Sequence, residues 1–441
     1  MRVRKVFLQA AGLTLLTIHT IAQEPATLTA SIRRQVIDST CNALLRNYVY
    51  PEKARTMSDR IRQKHLKGGY DTLVDPRRLA NMITRDVRTV QADKHLAIRY
   101  DPDLEKRIRT FVATAQKDKT ELENERRENF FFRKVEILKG NIGYIVFTNF
   151  ADTGELSRKT VRAALQFAAN ADALILDLRN NFGGRPEMAK EITNYFFSQP
   201  QLTGKTFNRI SNNWAEEWVG DQPAVTAGLL LAMPLYILTS ERTFSSAEGL
   251  AYNLQHLKNA IVVGDTTRGG AHTTRSFALG NGFVGFIPFT RGEHVVTKTD
   301  WEGTGVIPTI AISEDSALLK AQELILEQRL KIVTDATEKR KVQWLLNDLQ
   351  TKLRDIFVPQ ETLRRYTGAF EEFLFTLEDG KLFCRNTHQR DKKDRLIAIS
   401  DTLFKIDDQS QVEFVRERNG VVKSIRLLWN DGWVDIVGRS N

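Results

Sequence analysis

A serine stands at the start of a predicted helix in the segment L-T-S-E-R-T-F-S-S-A-E, residues 238–248, directly after an apolar strand. This setting would present the hydroxyl of Ser245 in a cleft at the carboxyl edge of a sheet. The free N–H groups and the positive end of the helix dipole would favour an oxyanion there, which suits nucleophilic attack on a carbonyl carbon. The same residues also fit an ordinary helix cap, in which Ser245 or Ser246 only accepts a backbone N–H.

A second polar turn, D-L-R-N-N-F-G-G at residues 177–184, also follows an apolar strand. Gly183 and Gly184 can bring backbone N–H groups close to a substrate oxygen. A plain strand-to-helix turn would use the same residue types, because Asn and Gly tolerate positive φ. Two such turns after neighbouring strands converge at one edge of a sheet, where α/β sites lie. We therefore expect both segments to share one site.

Alternating helices and strands position these two turns. The spacing of apolar residues predicts helices within residues 28–90, the third of them beginning at Pro76 with Asp75 as its cap. From residue 131 apolar strands alternate with helices, which implies crossover connections and a layered sheet. The later predicted elements are hairpins at 276–289 and 294–299, a helix at 316–353 and short strands from 362 onward.

The predicted fold class is α/β, with an N-terminal helical subdomain and a small C-terminal all-β domain. The predicted boundaries are a signal peptide at 1–22, the helical subdomain at 23–125, an α/β core at 126–315, a helical linker at 316–357 and the β domain at 358–441.

The first residues have the pattern of a secretory signal. Basic residues come first, an apolar run occupies residues 6–18, and small residues follow at the expected cleavage region. The run is shorter than the roughly 20 apolar residues of a membrane span. We expect a periplasmic or extracellular protein without an integral membrane span after signal removal, and an N-terminal anchor is the alternative.

Composition excludes several classes of protein. A hydrophobic fraction of 41% with 27% charged residues is typical of a globular chain and excludes disordered and polytopic membrane proteins. The net charge of +10 is spread among many acids, so we expect no nucleic-acid partner. No Cys and His have metal-ligand spacing. Cys41 and Cys384 could form one disulfide or stay separate buried thiols.

Four motifs together resemble a known peptidase family: D-L-R-N-N-F-G-G, T-S-E-R-T-F-S-S-A-E, V-V-G-D-T-T-R-G-G-A-H and W-E-G-T-G-V-I-P. The family is that of tail-specific (carboxy-terminal processing) proteases, the tricorn core and interphotoreceptor retinoid-binding protein, and the resemblance covers residues 90–312. The chain is most similar to the branch near the retinoid-binding protein, which lacks the inserted PDZ domain. The resemblance implies a crotonase/ClpP-like layered core.

The resemblance also implies roles for single residues. Ser245 takes the position of the nucleophile, and Ser246 with Gly183 or Gly184 would supply the N–H groups of the oxyanion hole. A Ser–Lys dyad is not expected, because Gly270 stands where that branch of the family has its lysine.

The tricorn-like branch uses a histidine and a late glutamate instead. Here these would be His95 as general base and Glu302, 57 residues after Ser245, as the carboxylate that orients it. Lys94 is a departure, since the tricorn-type site has a serine just before the histidine.

The other histidines have weaker patterns. His272, in G-G-A-H, could line a subsite or compete as the base, whereas His294 fits a strand surface. The C-terminal segment 363–404 resembles the small β-barrel-like domain that is often appended to secreted serine hydrolases. That resemblance implies a structural or substrate-rim role and no catalytic residue.

The sequence therefore predicts a serine peptidase that works through an acyl-enzyme, without cofactor or metal, on peptides or unfolded proteins. The alternative is a non-catalytic protein that binds apolar ligands or peptides, with Phe283, Phe286 and Phe289 lining a pocket. A small-molecule esterase or amidase is a third hypothesis, because the same catalytic groups can cleave esters. The oligomeric state is left open.

Overall fold

A computed structural model describes residues 28–110, 119–220, 228–388, 392–418 and 420–440. The predicted signal peptide lies outside these residues. Within the described part of the chain, no helix is both long and apolar enough to span a membrane.

Three helices form the N-terminal region, and each begins at a residue suited to that position. Thr29 accepts the N–H of Ile32 at the first helix, and Asp75 accepts the N–H of Arg77 at the third. The helices are α1 (Ala30–Asn47), α2 (Pro51–Leu66) and α3 (Pro76–Arg88). Their apolar faces form one buried cluster, which also includes Leu279, Phe283 and Ile287 from a later hairpin.

A four-residue strand joins the helical region to that hairpin. Strand β1 (Ala97–Tyr100) pairs antiparallel with the second strand of the hairpin, and Ala97 lies opposite Phe286. Two short helices, α4 (Pro102–Thr110) and α5 (Lys119–Arg127), follow β1. The pairing holds the segment that precedes β1, residues 93–96, against the rest of the molecule.

The central sheet has six strands in the order β12-β8-β7-β4-β3-β2, and all pairs are parallel except β2 with β3. Strand β4 and strand β7 are buried at every residue, as expected for strands covered on both faces. The strands are β2 (Phe132–Leu138), β3 (Ile142–Phe147), β4 (Ala173–Asp177), β7 (Leu235–Thr239), β8 (Ile261–Gly264) and β12 (Ile310–Ala311).

Helices cover both faces of this sheet. On one face, α6 (Glu155–Phe167), α7 (Pro186–Asn194) and α8 (Ser246–Lys258) contribute to the largest apolar cluster. On the other face, Ala317, Ala321 and Ile325 of α9 (Glu314–Ile332) pack against the strands. The predicted α/β core, a sheet with helices on both faces, is confirmed.

Two small antiparallel sheets flank the carboxyl edge of the central sheet. One has the order β1-β10-β9 and the other β11-β5-β6. Their strands are β5 (Gln201–Asn208), β6 (Asn213–Val219), β9 (Thr274–Gly280), β10 (Phe283–Pro288) and β11 (Thr290–His294). The hairpin predicted at 276–289 is confirmed as β9 and β10, whereas the one predicted at 294–299 is wrong, because Lys298 donates its N–H to the carbonyl of His294 and residues 295–299 form a turn without strands.

The C-terminal part begins with a second long helix, α10 (Ala336–Leu353), so the single helix predicted for 316–353 is two. The break occurs because Asp335 accepts the N–H of Glu338 and starts a new helix. A short α11 (Gln360–Arg365) follows. The remaining strands are β13 (Gly368–Phe370), β14 (Phe373–Glu378), β15 (Lys381–Asn386), β16 (Lys393–Arg395), β17 (Ile397–Ala398), β18 (Leu403–Lys405), β19 (Ser410–Arg416), β20 (Val422–Trp429) and β21 (Val434–Gly438).

These strands form a four-stranded and a five-stranded antiparallel sheet around one apolar cluster. Cys384 lies in this cluster and Cys41 in the N-terminal one, and both are free buried thiols. The structure thus has the second of the two predicted cysteine arrangements. The predicted order of N-terminal helices, α/β core and C-terminal β region is confirmed.

Candidate active site

Ser245 occupies a sharp turn between β7 and α8. Its backbone has φ 55° and ψ −121°, a conformation that costs free energy for any residue with a Cβ. The N–H of Ser245 donates to Glu248 Oε2 at 2.8 Å, which holds the turn in place. Strain at a residue that is fixed by its surroundings is typical of functional turns.

Glu248 is the buried anchor of this turn, and the sequence interpretation assigned it no role. Its carboxylate also accepts the hydroxyl of Thr267 and the N–H groups of Gly269 and Gly270, at 2.5, 2.5 and 2.9 Å. Burial raises the pKa of Glu248, and these hydrogen bonds oppose that rise. The sequence signal was present, since a serine followed three residues later by glutamate is a capping box.

His95 is the base candidate that the structure brings to Ser245. Its Nε2 lies 3.1 Å from Ser245 Oγ, within the range for proton transfer. The imidazole stacks on the ring of Phe244, with centroids 4.4 Å apart. A Cβ on Gly270 would lie 2.7 Å from His95 Cε1, so the glycine at this position leaves room for the imidazole.

The loop that carries His95 is held by Asp93 and Arg88. Asp93 Oδ1 accepts the N–H groups of His95 and Leu96 at 3.0 and 3.3 Å. Arg88 donates to the carbonyls of Lys94 and Leu96, each at 2.8 Å. Lys94, the departure from the tricorn-type pattern, donates its ammonium to the carbonyl of Arg268. The sequence interpretation missed Asp93, although it stands two residues before the predicted base.

Among the described residues, Glu302 forms no hydrogen bond or ion pair with His95, so its role as the carboxylate that orients the base stays a prediction. Its Oε2 accepts the N–H groups of Ala271 and His272 at 2.6 and 3.3 Å, and these two donors fix the position of the carboxylate. Among the described residues, the buried Nδ1 of His95 has no hydrogen-bond partner. Glu302 lies 3.6 Å from Nδ1 of His272 instead.

His272 contacts Asp93 rather than Ser245. Its side chain is fully buried, and its Nδ1 lies 2.7 Å from Asp93 Oδ2. Burial alone would lower the pKa of His272, but the hydrogen bond and the charges of Asp93 and Glu302 raise it above its ordinary value. The contact joins His272 to the residue that holds the loop of His95, and His272 also borders the cleft, so its role at a subsite stays a prediction.

Asp93, His272 and Glu302 each offer one potential metal ligand, and the three atoms lie within 4.8 Å of one another. The hydrogen bonds just described already occupy the facing oxygen and nitrogen atoms. A metal-free site therefore remains our prediction.

The oxyanion-hole candidates divide into two groups. The N–H of Gly183 donates to Asn181 Oδ1 at 2.9 Å, so it is engaged within its own turn, and of the two predicted glycines Gly184 is the one with a free N–H among the described residues. In the part of the chain that the structure describes, the N–H groups of Gly184 and Ser246 donate to no protein acceptor. The hydroxyl of Ser246 donates to the carbonyl of Gly184 at 2.9 Å, which places these two residues side by side.

Burial sets the charges of the site. It lowers the pKa of His95 from the ordinary 6.5 to about 4, so the imidazole is neutral at neutral pH and can accept a proton. Burial raises the pKa of Glu302 to about 7. For Asp93, burial would raise the pKa, but the hydrogen bond from His272 keeps it below its ordinary value.

A cleft of about 620 Å³ opens at the serine. Helix α7 forms one wall with Lys190 and Thr193, and the small sheet β11-β5-β6 forms the opposite wall with Trp218. Trp301 lines the same space. The cleft therefore presents a mixed polar and aromatic surface to whatever reaches Ser245.

Comparisons with known proteins match most of this region. A model of peptidase family S41 matches residues 141–312, and a model described as the N-terminal domain of Peptidase_S41 in eukaryotic IRBP matches residues 21–138. The carboxy-terminal processing protease CtpB of Bacillus subtilis is 26% identical over 226 residues, which are 50% of this chain and 44% of that protein. The chloroplastic carboxyl-terminal-processing peptidase 2 of Arabidopsis thaliana is 28% identical over 169 residues, 38% of this chain and 31% of that protein.

Among solved structures, the photosystem II D1 C-terminal processing protease is similar with a TM-score of 0.42 and 13% identity, over 64% of this chain and 94% of that one. The chain spans less than half the length of the two curated relatives named above.

Proposed function

Because the chain belongs to peptidase family S41, we propose that it is a serine peptidase with Ser245 as nucleophile and His95 as general base. The observation that carries the proposal is the 3.1 Å contact between His95 Nε2 and Ser245 Oγ at the mouth of the cleft. Beside that contact, Gly184 and Ser246 offer two N–H groups without protein acceptors among the described residues.

The proposed reaction begins when a peptide carbonyl carbon lies next to Ser245 Oγ. Oγ bonds to that carbon while its proton passes to Nε2 of His95, and the carbonyl oxygen becomes an oxyanion. The N–H groups of Gly184 and Ser246 stabilise this oxyanion, a contribution of about 3 kcal/mol for each donor in comparable sites.

The imidazolium of His95 then returns its proton to the leaving amine as the carbon–nitrogen bond breaks. Water hydrolyses the acyl-enzyme by the same steps, with His95 again accepting and returning a proton. No cofactor takes part in these steps.

We propose peptides or segments of unfolded proteins as substrates, since the cleft runs between α7 and a small sheet and is open to extended chains. The two curated relatives are named as carboxy-terminal processing proteases. Cleavage near carboxyl termini is therefore the substrate preference to test first. From the N-terminal sequence we propose a periplasmic or extracellular location. The crotonase/ClpP-like description of the core and the boundaries predicted above stand as predictions.

The binding-protein alternative rested on three phenylalanines, and the structure gives them other contacts. Phe283 is fully buried in the N-terminal apolar cluster, and the guanidinium of Arg99 lies 4.8 Å from the ring centroid of Phe286. None of the three, Phe289 included, lines the cleft at Ser245. These contacts favour the peptidase over the binding protein.

The test is hydrolysis of a peptide library by the purified chain without residues 1–22, in which each peptide has either a free or an amidated carboxyl terminus. Mass spectrometry identifies the cut bonds. Ser245→Ala is expected to abolish cleavage, whereas Ser246→Ala keeps its backbone N–H and is expected to lose less than about tenfold. Equal cleavage by wild type and Ser245→Ala would contradict the proposal.

A further inference from the structure

We propose that Asp93 and His272 act as a pair of positioning residues that hold His95 against Ser245. The inference rests on the proposed function in one respect, the role of His95 as the base. It assigns the second buried histidine of this region a role in supporting the first, in place of a role as a competing base or a subsite.

Asp93 uses both carboxylate oxygens to fix the base loop. Oδ1 accepts the backbone N–H groups of His95 and Leu96, so it determines the position of the main chain that carries the imidazole. Oδ2 lies 2.7 Å from Nδ1 of His272 and accepts the hydroxyl of Tyr48 at 3.2 Å. The side chain of Asp93 is fully buried, so water does not replace any of these partners.

His272 connects Asp93 to the other side of the site. It stands two residues after Gly270, in the loop that Glu248 ties to the turn of Ser245. The backbone N–H groups of Ala271 and His272 both donate to Glu302, and these bonds fix the main chain from which the imidazole of His272 projects. The pair therefore links the loop of His95 to the loop that is tied to the nucleophile.

Burial makes the loss of this link costly. A fully buried carboxylate that loses a hydrogen-bond donor is destabilised, and its surroundings rearrange to supply another partner. Because Oδ1 of the same carboxylate holds the N–H of His95, such a rearrangement would move the imidazole. A shift of about 1 Å between reacting groups can lower the rate by about 100-fold.

The ring of His272 is at the wrong place to act as the base itself. Its Nδ1 is engaged by Asp93, and its buried Nε2 contacts no hydrogen-bonding group among the described residues. The ring packs edge-on against Tyr50, with centroids 5.6 Å apart. His272 thus acts through Asp93 and His95 and does not contact Ser245.

The experiment compares His272→Leu with His272→Asn. Leucine removes the donor to Asp93, whereas the asparagine amide can donate from nearly the position of Nδ1. We expect kcat and the rate of labelling by a fluorophosphonate probe to fall about 100-fold in His272→Leu, with KM changed less than about twofold. In His272→Asn we expect recovery to within about tenfold of the wild type.

Hydrogen exchange supplies a readout that does not depend on activity. The amides of His95 and Leu96 donate to Asp93, so they are expected to exchange faster in His272→Leu and in Asp93→Asn than in the wild type. If the wild type neither cleaves peptides nor labels, the proposed function fails, and hydrogen exchange still decides whether His272 positions this loop.

A matched tyrosine pair separates positioning from general stability. Tyr48 donates to Asp93, and Tyr70 donates to the buried Asp86 in the same helical region, at 2.6 Å. Tyr48→Phe is expected to lower kcat by a few fold, while Tyr70→Phe lowers the melting temperature and leaves kcat unchanged. This comparison also serves if His272→Leu does not fold.

Two results would overturn the inference. One is a His272→Leu protein with the kcat of the wild type and unchanged exchange at His95 and Leu96. The other is a loss of activity in His272→Leu that is not restored in His272→Asn, together with faster hydrogen exchange throughout α1, α2 and α3. That combination would make the pair of Asp93 and His272 a general structural support.

Discussion

Ser245 and His95, the proposed nucleophile and base, reach their 3.1 Å contact from two loops that are built in different ways. Around the nucleophile, Ser240 and Thr243 donate their hydroxyls to the carbonyls of Arg179 and Leu178 at 2.6 and 2.7 Å. Phe244 donates its N–H to the carbonyl of Asn181 at 3.1 Å. These neutral hydrogen bonds join the turn to the loop after β4. Both segments lie at the carboxyl edge of the central sheet.

The loop of the base, residues 93–96, depends on charged side chains. Asp93 and Arg88 bind its backbone, and His272 from the other side of the site binds Asp93. The adjoining strand β1 adds only four residues of pairing. The comparison indicates that neutral hydrogen bonds and the buried carboxylate of Glu248 fix the turn of Ser245, whereas the loop of His95 is held by Asp93, Arg88 and His272, all of which have ionisable side chains.

The largest effect is expected at Glu248, which ties the turn of Ser245 to the loop of Gly269 and Gly270. Glu248→Ala leaves the N–H groups of Ser245, Gly269 and Gly270 and the hydroxyl of Thr267 without their acceptor, at about 1–3 kcal/mol for each buried group. We expect loss of activity together with a fall of several kcal/mol in the free energy of unfolding, measured with urea.

Glu323→Gln is the matched control for Glu248, because Glu323 is a buried carboxylate in α9 that pairs with Lys320 and Arg354 far from the site. It is expected to lower stability and to leave kcat unchanged. A Glu248→Ala protein with normal kcat would contradict the proposed support.

The next effect comes from crowding the base. Gly270→Ala would place a methyl group 2.7 Å from His95 Cε1 and closer still to Phe244 Cε2, so the two stacked rings would have to shift and the imidazole would leave its contact with Ser245. We expect kcat to fall about 100-fold, as measured by peptide hydrolysis. Gly438→Ala is the control, since a Cβ there meets no atom within 4 Å. Equal activity in the two variants would show that His95 does not need its present position.

The acid limb of the pH profile tests the charge state of the base. His95 accepts a proton only when it is neutral, and burial lowers its pKa to about 4. We therefore expect kcat/KM to persist as the pH falls below 6.5 and to be lost near pH 4. The contradicting result is an acid limb at pH 6.5 or above in the wild type and in Glu302→Gln alike. It would mean that His95 is solvated, or that its Nδ1 is hydrogen-bonded, during turnover.

The smallest effect concerns stability at Glu302. Its pKa is raised from 4.5 to about 7, so its contribution to stability is complete below pH 4.5 and is lost as the pH rises through 7. In Glu302→Gln this loss is absent, and we expect the melting temperature to change less between pH 5 and pH 8 than in the wild type. Glu361→Gln, at an exposed position in α11, is the control. Parallel melting curves for all three proteins would contradict the shift.

The sequence predicted the parts of the site that depend on local pattern. Ser245 follows a buried strand and begins a helix, and Gly184 follows the neighbouring strand, so both could be placed at one sheet edge. The resemblance brought His95 to the same site. The strands β5 and β6 were not predicted, because their sequences have few buried positions and no clear alternation of apolar residues.

The partners of the catalytic groups could not be read from the sequence. Glu302 was paired with His95 on family spacing, but its position is set by the N–H groups of Ala271 and His272, which a linear pattern does not show. Asp93 and His272 are 179 residues apart and meet only through the packing of β1 against β10. The hydrogen bond from the N–H of Gly183 to the side chain of Asn181 likewise cannot be read from a pattern that only asks for glycines.

The most direct test of the central claim is the rate of labelling by a fluorophosphonate probe, with the modified residue identified by mass spectrometry. The account predicts that the wild type is labelled on Ser245, that Ser245→Ala is not labelled, and that His95→Ala reacts far more slowly although it is folded. Labelling at another serine, or labelling of His95→Ala at the rate of the wild type, would contradict the assignment of Ser245 and His95 as nucleophile and base.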